Sequence, residues 1–88
     1  MRFDLFLRTV GIVKRRSEAA RLLSEGRVTV DGRPAKPAAA VAVGQRVRVE
    51  GVRAVTEWEV LEVPTGNVPS SQYGRYAARR PEAPPEAS

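Results

Sequence analysis

The sequence predicts an α+β fold in which a two-helix hairpin packs on a small, twisted and mostly antiparallel sheet. Two observations lead to this prediction. In residues 1–25 apolar side chains recur at helical spacing, whereas in residues 27–63 they alternate with polar ones, as they do in strands. The chain has 88 residues, which suffices for one small domain with a small core.

The first predicted helix carries its apolar residues at positions i, i+3, i+4 and i+7, which places them on one stripe. These residues are Phe3, Phe6, Leu7 and Val10. Asp4 lies in the first turn, where the helix dipole favours an anion, and it can pair with Arg8 one turn later. Gly11 is expected to end the helix.

Residues 14–25 predict a second helix, which ends where Gly26 can provide a left-handed cap. Its apolar stripe consists of Ala19, Leu22 and Leu23. Its N-terminal end carries three cations, which are Lys14, Arg15 and Arg16. Cations are unfavourable at the positive end of a helix dipole, and a bound phosphate would satisfy both them and the free N–H groups there. The alternative is a solvated basic turn.

Alternation and turn chemistry predict the sheet. Residues 28–30 alternate, and the following Asp31-Gly32 is a strong signal for a two-residue hairpin. Pro34 restricts the return strand to a short or edge position. Two further strands are predicted, around Val47–Val49 and over residues 55–63. Trp58, which lies between two glutamates, is expected to fill the core rather than to stack on bases.

The composition changes after Val63, where Pro, Gly and Ser residues become frequent. We therefore expect a domain over residues 1–63 and a linker with a flexible basic tail over residues 64–88. Residues 72–80 could form a short basic helix, and the Pro-, Glu- and Ala-rich end is expected to be disordered.

Several kinds of chemistry are excluded by composition. The chain contains neither cysteine nor histidine, so disulfides, thiolate or imidazole metal sites and the usual general base are absent. Catalytic motifs and glycine-rich phosphate loops are also absent, and no apolar run is long enough to span a membrane. We therefore expect a cytoplasmic protein that is not an enzyme and that needs no metal or cofactor.

The positive charge is concentrated at one end of the chain. The formal net charge is +5, and residues 1–36 alone hold nine bases and four acids. Thirteen of the fifteen bases are arginine, which suits bidentate phosphate contacts, although genome composition can also account for this ratio. The uneven distribution of charge predicts a face that binds a polyanion.

Four sequence blocks occur along the chain: RxDxxL at 2–7, RRSEA at 15–19, GRVTVDGR at 26–33 and VGQxV at 43–47. In this order and spacing they resemble the RNA-binding domain named after ribosomal small-subunit protein four, the S4-type domain or alpha-L RNA-binding motif. The resemblance covers residues 1–50. Asp31 stands where the pattern has Asn, and Gln45 stands where it has Asp, which is expected to weaken a hydrogen bond in that turn.

Within this superfamily the chain is similar to short bacterial ribosome-associated members of the heat-shock protein fifteen and ribosome quality-control types. The resemblance implies binding to rRNA of the large ribosomal subunit and to tRNA after stalling, in rescue or quality control. The chain is expected to act as a monomer. The positions that match the family's RNA contacts are Arg2, Lys14, Arg15, Arg16 and Arg27, followed by Arg33 and Lys36.

Two other functions stay open at this point. The same domain occurs fused to RNA-modifying enzymes and tRNA synthetases, so the chain could be an accessory RNA-binding subunit for a separate RNA-modifying enzyme. A DNA-binding or chaperone-like role is the third possibility. Sedimentation with large ribosomal subunits would separate the first hypothesis from both.

Overall fold

The computed structural model describes residues 1–51 and 54–80. Two helices come first, α1 at Phe3–Thr9 and α2 at Arg16–Ser24. Four strands follow: β1 at Val28–Val30, β2 at Arg33–Pro34, β3 at Arg46–Glu50 and β4 at Val55–Val60. A 3-10 turn at Ser70–Gln72 then leads into helix α3 at Tyr73–Tyr76 and strand β5 at Ala77–Arg80. The strands form one antiparallel sheet in the order β2-β1-β3-β4-β5, which confirms the predicted α+β class.

The helical hairpin covers one face of this sheet. The predicted stripes of α1 and α2 are buried, and they pack with Val28, Val47 and Val49 in a single core. Burial alternates strictly along β3, where the valines point to the helices and Arg46, Arg48 and Glu50 point to solvent. The other face of the sheet is therefore a polar surface on the side away from the helices.

The predicted turns have the backbone conformations that their residues favour. Asp31 and Gly32 have φ values of 51° and 84°, as a two-residue hairpin of type I′ requires. Gly26 follows α2 with a φ of 75°, which confirms the left-handed cap. In the turn at Gln45, its Oε1 accepts a hydrogen bond of 2.8 Å from the Ala42 N–H, whereas the backbone bond from the Gln45 N–H to the Ala42 carbonyl is long, at 3.4 Å. The weakening expected from Gln45 stays a prediction.

Trp58 is half-buried and packs against the core, as expected. It lies opposite Val47 in the register of β3 and β4, so its ring belongs to the face that the helices cover. Its Nε1–H donates a hydrogen bond of 2.9 Å to the Thr56 Oγ1 on the same strand.

The helix expected over residues 72–80 is wrong beyond Tyr76. Ala77–Arg80 is instead a strand that pairs with β4, placing Ala77 opposite Val60 in the core. Without this pairing β4 would be an open edge, and pairing with that edge overrides the local helical pattern. The description of residues 64–88 as a linker and flexible tail is therefore corrected for Ser70–Arg80, while residues 81–88 lie outside the described residues.

Candidate RNA-binding surface

A buried carboxylate joins two of the predicted contact residues. The Asp4 Oδ2 lies 3.0 Å from the Arg2 Nη2 and 3.7 Å from the Arg16 Nη2. The Asp4 side chain is 7% exposed, whereas those of Arg2 and Arg16 are 53% and 54% exposed. One buried anion therefore holds two solvent-facing guanidinium groups side by side. The expected pairing of Asp4 with Arg8 is not observed, because Asp4 faces Arg2 and Arg16 instead.

Backbone hydrogen bonds fix the start of α1 at this place. The N–H groups of Phe3 and Asp4 donate to the carbonyls of Ala39 and Pro37, at 3.0 and 3.2 Å. The same turn is closed by a bond of 3.0 Å from the Ala39 N–H to the Lys36 carbonyl. Lys36, which is exposed, therefore lies in the turn that contacts the beginning of α1.

The predicted cations before α2 lie on the surface. Lys14 and Arg15 are exposed, and within residues 1–51 and 54–80 no carboxylate forms an ion pair with either. Because Arg15 has extended backbone, α2 begins at Arg16, two residues later than predicted. The Arg15 side chain provides no cap for this helix. The phosphate site expected at this helix end stays a prediction. Arg2, Lys14, Arg15, Arg16 and Lys36 are called the basic surface below.

Two of the predicted residues lie outside the group of cations around Asp4. Arg27 follows α2, and its Nε is 2.9 Å from the Glu25 Oε1, a carboxylate that Arg21 also contacts at 3.5 Å. The nine residues of α2 separate Arg27 from Arg16 by about 13 Å along the helix axis. Arg33 is exposed on the edge strand β2. In the described part of the chain it forms no ion pair with an acidic side chain.

The family of the chain follows from its first half. The family model of the S4 domain matches residues 1–47, which contain α1, α2, the β1–β2 hairpin and the basic surface. The chain belongs to the S4 domain family.

Similar proteins share more than the matched half. An RQC P-site tRNA stabilizing factor of Helicobacter pylori strain J99 is 37% identical over 79 residues, which cover 89% of this chain and 94% of that protein. The protein of the same name in strain 26695 is 34% identical over the same shares of both chains. The solution structure of the hypothetical protein HP1423 has a TM-score of 0.78 at 32% identity and covers 94% of this chain and 100% of that one.

The fold is also that of a heat-shock protein. The trimeric structure of Vibrio cholerae Heat Shock Protein 15 has a TM-score of 0.83 at 19% identity, covering 91% of this chain and 81% of that one. The likeness to the HP1423 and Heat Shock Protein 15 structures extends beyond the S4 match at residues 1–47, because it covers 94% and 91% of this chain. Residues 64–80, which include β5, are called the C-terminal segment below.

Acidic side chains are dispersed over the part of the chain that the structure describes. In residues 1–51 and 54–80, no three acidic side chains come together to hold a metal ion. No helix in the same ranges has the length and apolar character needed to cross a membrane. The outer face of the sheet carries both signs of charge, since Arg48 lies opposite Glu57 and Arg80 contacts the Glu59 Oε1 at 2.7 Å.

Sequence reasoning found the cations of this S4 domain but missed the role of Asp4. The spacing of Asp4 and Arg8 on one helix suggested a local pair, whereas the observed partner Arg16 is twelve positions away on the next helix. The signal that could have revealed this is the apolar environment of Asp4, since it lies between the buried Phe3 and Phe6. A carboxylate that is buried there needs a nearby cation, which a neighbouring helix can provide.

We expect Arg27→Ala to weaken RNA binding by less than about 0.5 kcal/mol, clearly less than Arg16→Ala. Glu25, which pairs with Arg27, is 42% exposed, so its negative charge faces the solvent from which a phosphate would approach. The buried Asp4 does not present its charge in this way. Fluorescence-anisotropy titration of both variants with ribosomes checks this difference, and an equal loss would make Arg27 a central rather than a peripheral contact.

Proposed function

We propose that the chain is a non-catalytic RNA-binding protein that binds structured RNA, both rRNA and tRNA, on the large ribosomal subunit. Its role is the rescue or quality control of stalled ribosomes in the cytoplasm, and it acts as a monomer. The observation that carries this proposal is the pair of exposed guanidinium groups of Arg2 and Arg16 on the buried Asp4. The relatives named RQC P-site tRNA stabilizing factor, which align over 89% of the chain, support it.

The arrangement suits a phosphate backbone. A guanidinium group can donate two parallel hydrogen bonds to phosphate oxygens, and a group already held in place loses less side-chain entropy on binding. Asp4 orients both groups while leaving about half of each side chain exposed. The basic surface contains no aromatic residue, so its contribution is contact with phosphates and recognition of RNA shape.

The proposed contacts are those of the basic surface and its neighbours. Arg2, Lys14, Arg15, Arg16 and Lys36 are proposed as the central contacts, which is supported by their positions at the starts of α1 and α2 and in the turn that contacts α1. Arg33 on β2 and Arg27 after α2 are proposed as peripheral contacts.

The direct test is equilibrium binding of the fluorescently labelled chain to purified large ribosomal subunits. Subunits carrying peptidyl-tRNA in the P site should bind more tightly than vacant ones, because the tRNA adds phosphates to the interface. Small subunits and a DNA duplex serve as controls, because both carry phosphates but lack the proposed binding site. Equal binding to all four would reduce the proposal to unspecific attraction of a basic protein.

We predict that binding to large subunits weakens steeply as salt is added. The five cations of the basic surface suggest roughly two to five neutralised phosphates, and the affinity should then fall by about one to three orders of magnitude between roughly 50 and 200 mM salt. The slope of log Kd against log salt measures this number. A complex insensitive to salt would mean that apolar or base-edge contacts dominate.

A further inference from the structure

A second feature adjoins the basic surface, on the side where α1 ends. An open cleft of about 340 Å³ lies between the connector that follows α1 and the short helix α3. It is lined by Arg8, Gly11, Val13, Lys14 and Tyr73. Tyr73 belongs to the C-terminal segment that the S4 family match at residues 1–47 does not include.

The ring of Tyr73 packs against the backbone of Gly11. A Cβ atom added at Gly11 would overlap the Tyr73 ring, and Gly11 has a φ of 79°, which side-chain-bearing residues rarely adopt. The ring thus rests where only a glycine leaves room for it. Tyr73 is still partly exposed, so part of its ring remains open to the cleft.

The C-terminal segment holds this ring in a defined position. Tyr73 begins α3, and at the other end of this helix the Tyr76 carbonyl accepts a hydrogen bond of 2.8 Å from the Leu61 N–H. The next residue, Ala77, is buried opposite Val60. An aromatic ring anchored in this way binds a flat partner at a small cost in conformational entropy.

The charge around the ring is positive. Arg8 and Lys14 are both exposed, and in the part of the chain that the structure describes neither forms an ion pair. Among residues 1–51 and 54–80, no acidic side chain lines the cleft. Lys14 also belongs to the basic surface, and its Cα can lie no farther than about 7 Å from that of Arg16. The cleft therefore continues the basic surface, adding an aromatic ring to it.

We propose that this cleft binds one unpaired nucleotide of the RNA, with its base stacked on Tyr73 and its phosphate on Lys14 and Arg8. The inference deepens the proposed function and rests on it. An aromatic face next to two unpaired cations offers the two contacts that an unstacked nucleotide needs, whereas a nucleotide inside a duplex is stacked between its neighbours and has no free base face. The basic surface then recognises phosphates and shape, and the cleft recognises an unpaired position.

The first test uses the unaltered full-length chain, so it does not depend on the folding of a variant. Adenosine 5′-monophosphate, ribose 5-phosphate and inorganic phosphate are titrated separately while NMR signals of Gly11, Lys14 and the Tyr73 ring are followed. The adenine nucleotide should shift all three, with ring-current shifts at Tyr73, whereas the two probes without a base should shift only Lys14. Equal effects of all three probes at Tyr73, or no effect, would overturn the proposal.

The second test measures whether the cleft contributes to RNA binding. Tyr73→Leu should weaken binding to large ribosomal subunits at least about fivefold, whereas Tyr73→Phe, which keeps the ring, should stay within about twofold of the parent. Parental binding by Tyr73→Leu, or an equal loss in both variants, would overturn the stacked nucleotide while leaving the proposed function intact. Failure of the parent itself to bind the subunits would instead contradict the proposed function, and the nucleotide titration would still decide the chemistry of the cleft.

Discussion

Replacing Arg2 and Arg16 together by alanine should weaken binding to purified large ribosomal subunits by roughly 2–5 kcal/mol, with about 1–3 kcal/mol for each single change. Each guanidinium group is half-exposed, and that of Arg2 is hydrogen-bonded to Asp4 while that of Arg16 lies within 3.7 Å of it. Both groups therefore lose less side-chain freedom on meeting a phosphate. The two losses need not add, because both residues share one carboxylate. Arg16→Lys should restore only part of the affinity, since an ammonium group cannot form the bidentate contact. Equilibrium titration with labelled protein measures all of these variants.

Two controls separate binding from folding in this experiment. The double variant leaves the buried Asp4 without its two cations, so it is also made with Asp4→Asn, which removes the isolated charge. Arg48→Ala removes an arginine from the outer face of the sheet, opposite Glu57, and should bind like the parent. If Arg48→Ala loses affinity while the double variant retains it, the RNA lies on the opposite face of the sheet. Thermal melts of every variant identify losses that come from unfolding.

Truncation after Val63 should lower the free energy of unfolding by roughly 2–4 kcal/mol, a large part of the stability of so small a domain. The deletion removes β5, which pairs with β4 over four residue pairs. It also exposes Val60, which is 1% exposed in the intact protein, and removes the partner of the Leu61 N–H. Urea denaturation followed by Trp58 fluorescence gives the difference directly.

Truncation after Arg80 is the matched control, because it keeps β5 and its pairs with β4. The Pro-, Glu- and Ala-rich composition of residues 81–88 predicts that their removal leaves the midpoint unchanged. A change within about 1 kcal/mol for the shorter fragment would show that residues 1–63 fold independently, as the composition of the sequence suggests. Such a result would mean that β5 adds little to the core despite its pairing.

The elements that could be predicted from the sequence are those determined by local chemistry. The stripe of α1, the cap at Gly26 and the hairpin at Asp31-Gly32 each depend on residues within one or two turns of chain. Strand β5 could not be predicted in this way. Its four residues carry no alternating apolar pattern beyond Ala77, and they become a strand only because β4 offers an edge seventeen residues earlier.

The candidate site likewise combines features that are visible in the sequence with features that depend on tertiary contacts. The cations were visible as a cluster in the sequence, but their grouping depends on contacts between elements. Arg2 and Arg16 meet through Asp4, and Lys36 is brought to α1 by the backbone of the turn that follows it. Arg27 belongs to the same sequence pattern, yet the length of α2 and the pairing with Glu25 set it apart. The cleft at Tyr73 could not be foreseen, since it joins residues about sixty positions apart.

The most direct test of the central claim is sedimentation of the tagged chain through a sucrose gradient with bacterial extract containing stalled ribosomes. We predict that the parent migrates with large subunits carrying peptidyl-tRNA, and that the variant with Arg2→Ala, Arg16→Ala and Asp4→Asn stays at the top of the gradient although it remains folded. Migration of both proteins with the large subunit would contradict the assignment of the RNA contact to the basic surface. Absence of the parent from the large-subunit fractions would contradict the proposed function itself.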